Sequence, residues 1–253
     1  MTRHPTSVAD GAFYHFSVDD VLPGLVDASR GPDLLTHPLL SFLGSLYADF
    51  GTKTDLYLFA EAQNHGVRSS LADVSARQRR GFEALPWLRL GPHAHDDQTP
   101  PYRQSVRAVQ ETCDWIFDQI KRFSGSTTRS RWLRLHYFSE CFECADYFRD
   151  RGIDTLLLTD KAAGAYRLPP AIRKAILERG VADYRGLRWV RSHLRVEALV
   201  ASGQPIERAI DRVLEQHGFA VLFTHEVALA AAEVREAALT GLRHLERRGV
   251  ASA

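Results

Sequence analysis

The sequence lacks the features that mark membrane, secreted and nucleic-acid-binding proteins. Its 32 Lys and Arg residues nearly balance its 31 Asp and Glu residues, and the resulting net charge of +1 would not attract nucleic acid or an anionic membrane. No apolar run approaches the roughly 18 residues that cross a bilayer. The segment from Met1 to Gly11 contains no apolar stretch typical of a signal peptide. We therefore expect a cytoplasmic protein with no membrane span and no nucleic-acid partner.

Cysteine is scarce as well, with three residues in 253. An odd number of cysteines argues against a disulfide framework. Cys141 and Cys144 form a C-x-x-C pair, but with Phe148 they follow helical spacing, and no second pair completes a four-thiolate zinc site. This spacing favours packing in the core. A chain of this length needs no metal to hold its core together, so any metal it binds would serve chemistry.

Short apolar runs alternate with longer amphipathic stretches along the chain. This alternation is typical of β/α units around a mostly parallel sheet. The predicted strands are Ala12–Val18, Asp55–Ala60, Trp87–Leu90, Trp132–His136, Ile153–Leu158, Leu187–Val190 or His193–Glu197, and Phe219–Thr224.

Apolar residues at steps of three and four predict helices between these strands and after the last one. Periodic stretches run over 106–123, 206–217 and 234–245, whereas Gly125–Ser130 and Pro169–Pro170 indicate surface loops. About seven strands with covering helices predict a single α/β domain over 1–253, an open or closed barrel of mostly parallel strands. Its core would span about 12–226 and its C-terminal helix about 227–248.

Ionisable side chains stand where four of the predicted strands end. In parallel α/β sheets, catalytic groups lie at this carboxyl edge. The groups are Asp19 and Asp20 after the first strand, His93, His95 and Asp97 after the third, Arg134 with His136 and Tyr137 at the fourth, and His225 at the last. Carboxylates and imidazoles together favour Zn²⁺, Mn²⁺, Co²⁺ or Fe²⁺. His93 pairs with Asp97 if the chain turns helically after Pro92 and with His95 if it stays extended.

These segments resemble polysaccharide deacetylases of the NodB-homology type. Each segment is similar to one family motif, and the motifs occur in the family's order over about residues 12–226. The matching segments are Phe16–Val21 (T-F-D-D-G in the family), Asp55–Phe59 (a strand rich in Phe), Gly91–Asp97 (G-x-H-[ST]-x-x-H), Arg134–Tyr137 (R-x-P-Y) and Val221–His225 (L-x-L-H).

The resemblance implies the distorted (β/α)7-type barrel of that family and a role for each matching residue. Asp19 would be the general base, Asp20 and His93 metal ligands, and Asp97 would stand where the family has its second histidine. Arg134 would orient the base, the backbone N–H of Tyr137 would help hold the oxyanion, and His225 would be the general acid. Asp97 for histidine raises the prospect that His95 is the third ligand. His136 replaces the family's proline, Val21 replaces its glycine, and its D-x-x-D-W segment has no counterpart here.

We therefore expect a metal-dependent hydrolase that removes an acyl group, N-acetyl first, from a carbohydrate or related small molecule. Zinc is the first expectation for the metal, with Mn, Co, Ni or Fe as alternatives. Two other hypotheses remain: a catalytically silent glycan-binding or structural member of the fold, and a metal-free amide hydrolase. Because most deacetylases of mature wall polymers act outside the cytoplasm, a cytoplasmic member would act on a precursor or a small metabolite.

Overall fold

The structure is a computed structural model that describes residues 11–64, 67–161 and 167–253. The segment Met1–Asp10, used above to argue against a signal peptide, lies outside these ranges. The strands are β1 Phe13–Val21, β2 Thr54–Phe59, β3 Glu61–Asn64, β4 Val67–Ser70, β5 Leu88–Ala94, β6 Trp132–Leu133, β7 Thr155–Leu158, β8 Val181–Tyr184, β9 Leu187–Arg191, β10 Leu194–Arg195, β11 Phe219–His225 and β12 Ala251–Ser252. The helices are α1 Pro23–Arg30, α2 Pro38–Phe50, α3 Arg79–Glu83, α4 Val106–Ser124, α5 Ala145–Asp150, α6 Pro170–Arg179, α7 Val196–Ser202, α8 Ile206–His217 and α9 Ala232–Arg247.

Two sheets form the centre of the molecule, and nearly all of their neighbouring strands are parallel. The larger sheet has the order β10-β11-β1-β2-β5, with β12 also paired to β1. The smaller has the order β6-β7-β9-β8, in which only β8 is antiparallel to its neighbour. Helices cover the sheets, as the apolar periodicity predicted. The single α/β domain of mostly parallel strands is therefore confirmed.

A few backbone hydrogen bonds, rather than continuous strand pairing, link the two sheets into an incomplete barrel. On one side, Leu90 of β5 bonds to Thr128 and Ser130, just before β6. On the other side, Ser192 bonds to Leu158 of β7, and the next residue, His193, bonds to Val221 of β11. Among the described residues, continuous strand pairing does not close the barrel. Thr128 and Ser130 are buried at this junction, whereas Ser126 and Thr127 are exposed, so only the tip of the predicted loop Gly125–Ser130 lies at the surface.

The carboxyl ends of β1 and β11 are held together by side-chain contacts as well as by pairing. Asp19 is in register with His225. Glu226, the next residue, donates its backbone N–H to the carbonyl of Asp19 at 3.0 Å. Its carboxylate accepts backbone N–H groups at the start of α1, from Leu22 at 2.8 Å and Gly24 at 2.5 Å. These bonds satisfy helix N–H groups that have no partner within the helix and fix the position of His225 beside Asp19.

The predicted strands all correspond to observed ones, with shifted ends. Both alternatives for the sixth strand occur, as β9 and the short β10. The hairpin of β3 and β4 was not anticipated because its four-residue strands carry no clear apolar alternation. Pro169–Pro170 forms the start of α6 rather than a loop, since proline is well tolerated in the first turn of a helix. Among the described residues, no helix is long and apolar enough to cross a bilayer.

Candidate metal centre and active site

Asp20 lies at an irregularity in β1 that turns its side chain toward β5. Its φ of 59° is left-handed, a conformation that Asp tolerates better than most residues. The pairing of β1 with β2 shifts register between Val18 and Val21 at this point. The interrupted strand lets the consecutive residues Asp19 and Asp20 contact different partners within one site.

Three potential metal ligands converge beside this irregularity. Asp20, His93 and His136 each offer one ligand atom, and these atoms lie within 4.8 Å of one another. The Oδ1 atom of Asp20 is 3.0 Å from Nε2 of His93 and 3.3 Å from Nδ1 of His136. The two ring nitrogens are 3.1 Å apart.

The geometry and surroundings of these atoms fit a divalent cation. Ligand atoms on a tetrahedral zinc ion with bonds of about 2.0–2.1 Å would be about 3.3 Å apart, close to the separations of the three atoms. Nδ1 of His93 lies 2.6 Å from the carbonyl oxygen of Arg134 and must donate to it, which leaves the lone pair on Nε2 directed at the cluster. Asp20 Oδ1 is buried, and the ring nitrogens of His93 and His136 lie within 3.3 Å of it.

The electrostatic environment favours the ionised form of Asp20. Burial alone would raise the pKa of its carboxyl group, but the imidazoles of His136 and His93 and the charge of His225 lower it well below its usual value. A carboxylate that remains ionised is the form that binds a metal.

Asp19 forms a second, deeper arrangement with Arg134. Both side chains are almost completely buried, and Nη1 of Arg134 donates to Asp19 Oδ1 at 2.8 Å. Arg134 also donates to the hydroxyls of Ser17 at 2.7 Å and Ser192 at 3.0 Å. The guanidinium therefore fixes the Asp19 carboxylate and balances its charge where both side chains are almost completely buried.

The segment after Arg134 has an unusual backbone. Tyr137 and Phe138 have φ values of 54° and 52°, which for aromatic residues cost about 1–2 kcal/mol each. Ser139 stabilises the turn because its hydroxyl donates to the carbonyl of His136 at 2.6 Å. This turn places His136 beside Asp20 and Tyr137 at the edge of the cavity.

His225 is oriented by an acidic residue, Glu197, which was not among the predicted site residues. Its Nδ1 donates to Oε1 of Glu197 at 2.5 Å. Burial alone would lower the pKa of His225, but the hydrogen bond to Glu197 and the negative charges of Asp19, Glu197 and Asp20 raise it above its usual value. The pKa of Glu197 is lowered, because the contact with His225 outweighs the effect of burial.

These groups meet around one cavity of about 150 Å³. Six of the predicted site residues are brought together in this region: Asp19, Asp20, His93, Arg134, Tyr137 and His225. Three residues that were not assigned a role contribute as well: His136, Glu197 and Arg195.

The structure does not bring His95 or Asp97 to the metal ligands. The strand ends at Ala94, and Oδ1 of Asp96 then accepts the backbone N–H groups of Gln98 and Thr99, which turns the chain toward solvent. Asp97 is exposed and bonds to Gln98. His95 is half-exposed, with Nε2 3.9 Å from Glu61. His136 takes the third position in the cluster, which was predicted for His95 or Asp97.

The sequence held a usable signal for His136 but a weak one for Glu197. His136 lies at the exit of a predicted strand, two residues from Arg134, and replaces the family's proline. Glu197 follows the two-residue strand β10, too short to show periodicity, so nothing in the sequence paired it with His225.

No protein-family model and no curated protein matches the sequence. Solved structures do share its fold. A peptidoglycan N-acetylglucosamine deacetylase has a TM-score of 0.55 at 10% identity, over 96% of this chain and 86% of its own. A CE4 esterase from Streptococcus mutans has a TM-score of 0.54 at 10% identity, with the same coverage. The 4-alpha-glucanotransferase of Thermococcus litoralis has a TM-score of 0.57 at 9% identity, over 96% of this chain and 39% of its own.

The glucanotransferase shows that this fold accompanies more than one reaction, so the fold alone does not fix the chemistry. The resemblance of the sequence to polysaccharide deacetylases is nevertheless matched in three dimensions. The chain has the (β/α)7-type fold of the CE4 polysaccharide deacetylases, with a barrel that is not fully closed.

Proposed function

We propose that the protein is a metal-dependent deacylase that hydrolyses an amide, N-acetyl first, on a carbohydrate or related small molecule. The observation that carries this proposal is the cluster of Asp20, His93 and His136 next to the buried Asp19–Arg134 pair and the partly buried His225–Glu197 pair. The names of the deacetylases that share the fold support it.

Asp20, His93 and His136 would hold the cation. Two imidazoles and one carboxylate form a ligand set that catalytic zinc sites use while keeping a position open. A bound cation would supply Lewis acidity and lower the pKa of a water molecule from about 15.7 toward about 7.

Asp19 is suited to remove the proton from the attacking water. Its carboxylate lines the cavity, and Arg134 fixes its orientation through Oδ1. A general base works within hydrogen-bond reach of the proton that it accepts, and a buried, immobile carboxylate meets this condition when the substrate is bound.

Negative charge then develops on the carbonyl oxygen of the amide. The backbone N–H of Tyr137 is the group we assign to bind it, because the left-handed turn places this residue at the cavity edge. A fixed N–H donor of this kind typically contributes about 2.7–4 kcal/mol to transition-state stabilisation.

His225 would protonate the departing amine. Glu197 accepts the Nδ1 proton, so the second proton of the imidazolium is on Nε2. Because its pKa is raised, His225 holds this proton at neutral pH more readily than a free imidazole does. Without this proton the C–N bond would break slowly.

Metal analysis combined with single substitutions tests the proposal. We expect purified protein reconstituted with zinc to bind about one equivalent and to release acetate from N-acetylated sugars. His136→Ala should lose both metal and activity, whereas Asp19→Asn should keep the metal and lose activity. His95→Ala and Asp97→Ala are matched controls, because these residues lie near His93 in sequence but outside the cluster, and both should behave like wild type.

Each contrary result points to one of the other hypotheses. Acetate release that survives strong chelation would indicate a metal-free hydrolase. Stoichiometric metal without turnover on any N-acetyl compound would indicate a silent member of the fold. Loss of metal in His95→Ala with retention in His136→Ala would contradict the ligand set. A cytoplasmic location, and with it a precursor or small metabolite as substrate, is tested by fractionation of cells.

A further inference from the structure

Arg195 places a second guanidinium at the wall of the catalytic cavity. It lies at the end of β10, two residues before Glu197, and lines the cavity together with Asp19 and His225. The mechanism proposed above gives it no role. A cation at this position is neutralised by the protein, solvated by water or available to a ligand, and the Arg195 side chain is 28% exposed.

The charge of Arg195 is only weakly balanced. Its one acidic contact among the described residues joins Nη2 to Oδ1 of Asp160 at 3.4 Å, and that oxygen also receives the hydroxyl of Thr159 at 3.3 Å. Nε of Arg195 is buried and has no hydrogen-bond partner in the described part of the chain. Nε of Arg134 also has no partner among the described residues, but Arg134 makes three side-chain hydrogen bonds of 2.7–3.0 Å, one of them to a carboxylate.

Aromatic rings fix the position of this guanidinium on the side of the general acid. Its Cζ atom lies 5.2 Å from the ring centroid of Phe223 and 5.8 Å from that of Phe138. The ring of Phe223 is also 5.9 Å from the imidazole of His225. Contact with an aromatic face restrains a guanidinium and leaves the N–H groups at its edge able to bind an oxyanion.

We infer that Arg195 selects substrates with an oxyanion, a carboxylate or a phosphate, on the part of the molecule that leaves as the amine. This inference rests on the proposed function, since the leaving side of the substrate is defined by His225. A bidentate contact from arginine suits both anions. The cavity of about 150 Å³ holds little more than the reacting group, so we expect the remainder of the substrate to extend past the partly exposed side chain of Arg195 in the cavity wall.

Binding of amine products tests the inference without requiring turnover. Calorimetry on the zinc-loaded protein would compare glucosamine, glucosamine 6-phosphate and the 2-amino-2-deoxyglucuronate. We expect wild type to bind at least one anionic amine about 10- to 100-fold more tightly than glucosamine, the range of one charge-assisted contact. The anionic amine that binds more tightly indicates whether Arg195 prefers a phosphate or a carboxylate.

The variants assign that preference to one side chain. Arg195→Gln should bind all three amines with similar affinity, and Arg195→Lys should keep part of the preference. The exposed Arg208→Gln on α8, which removes the same charge, should behave like wild type. Kinetics with the N-acetylated forms should show that Arg195→Gln raises KM more for the anionic substrates than for neutral N-acetylglucosamine.

Equal binding of the three amines by wild type, or a preference that persists in Arg195→Gln, would overturn the inference. If Arg195→Gln fails to fold, the wild-type comparison and the Lys variant still decide the question. If no N-acetyl compound is hydrolysed, the proposed function fails, while the product titrations continue to judge the role of Arg195.

Discussion

Removing Arg134 should destabilise the protein far more than removing a surface arginine. Arg134 is fully buried, and Asp19, its partner, is 2% exposed. In Arg134→Met the side chain keeps an apolar body of similar length, but the Asp19 carboxylate loses its balancing charge and the hydroxyls of Ser17 and Ser192 lose their donors.

The magnitude follows from the burial of both groups. Breaking a buried ion pair by removing one partner costs about 3–5 kcal/mol, because the remaining charge stays in a medium that solvates it poorly. For a chain of about 250 residues this corresponds to a fall in Tm of roughly 6–20 °C. The double variant Asp19→Asn with Arg134→Met should recover about 2 kcal/mol or more relative to the sum of the single changes, because it leaves no unpaired charge.

Urea denaturation followed by circular dichroism measures these differences. Arg131→Met is the matched control, since Arg131 and Asp154 are also 2.8 Å apart but are 74% and 46% exposed, and its loss should cost about 0–1 kcal/mol. A cost below about 1 kcal/mol for Arg134→Met, or strictly additive single changes, would show that the pair is not the stabilising contact described above.

Three further changes test other parts of the structure. Burial and the neighbouring cations lower the pKa of His193 to about 3, so neutral His193 adds stability above pH 6.5 that is lost as the pH falls toward 3. His193→Asn keeps an acceptor for the Val221 N–H and should flatten the acid limb of a plot of unfolding free energy against pH. An unchanged acid limb would contradict this expectation. Glu197→Gln should move the basic limb of the pH profile of kcat/KM to lower pH, because it removes a negative charge that raises the pKa of His225. An unmoved limb would mean that His225 is not the general acid. Tyr137→Gly should be more stable than Tyr137→Ala by about 1 kcal/mol in thermal unfolding, because glycine adopts the left-handed backbone without strain; equal stabilities would argue against that backbone.

The sequence was informative where periodicity extends over many residues. The helices α4, α8 and α9 follow from apolar spacing because each buries one face. The strands β1, β2 and β11 follow from their apolar runs because they are buried on both faces. Short elements such as β6 and β10 have two residues each and take their conformation from neighbouring strands. Local sequence carries little information about such pairing.

In the site, the strand exits were predictable, but the choice of partners was not. Asp20 and His93 were expected to meet, and they do. The third member depended on how the chain turns after Ala94 and after Arg134, and the sequence left the first turn open. Hydrogen bonds by Asp96 and Ser139 decide these turns, and they bring His136 rather than His95 to the cluster.

The ligand set joins residues of two sheets that share few backbone hydrogen bonds. His93 belongs to the larger sheet and His136 follows the smaller one, while the barrel wall between them is held by the few backbone bonds at Leu90. A cation shared by these residues would act as a crosslink across this seam and should slow amide hydrogen exchange on both sides of it. The connection after Ala94 carries no ligand in this arrangement, so its length could change during evolution without disturbing the metal centre.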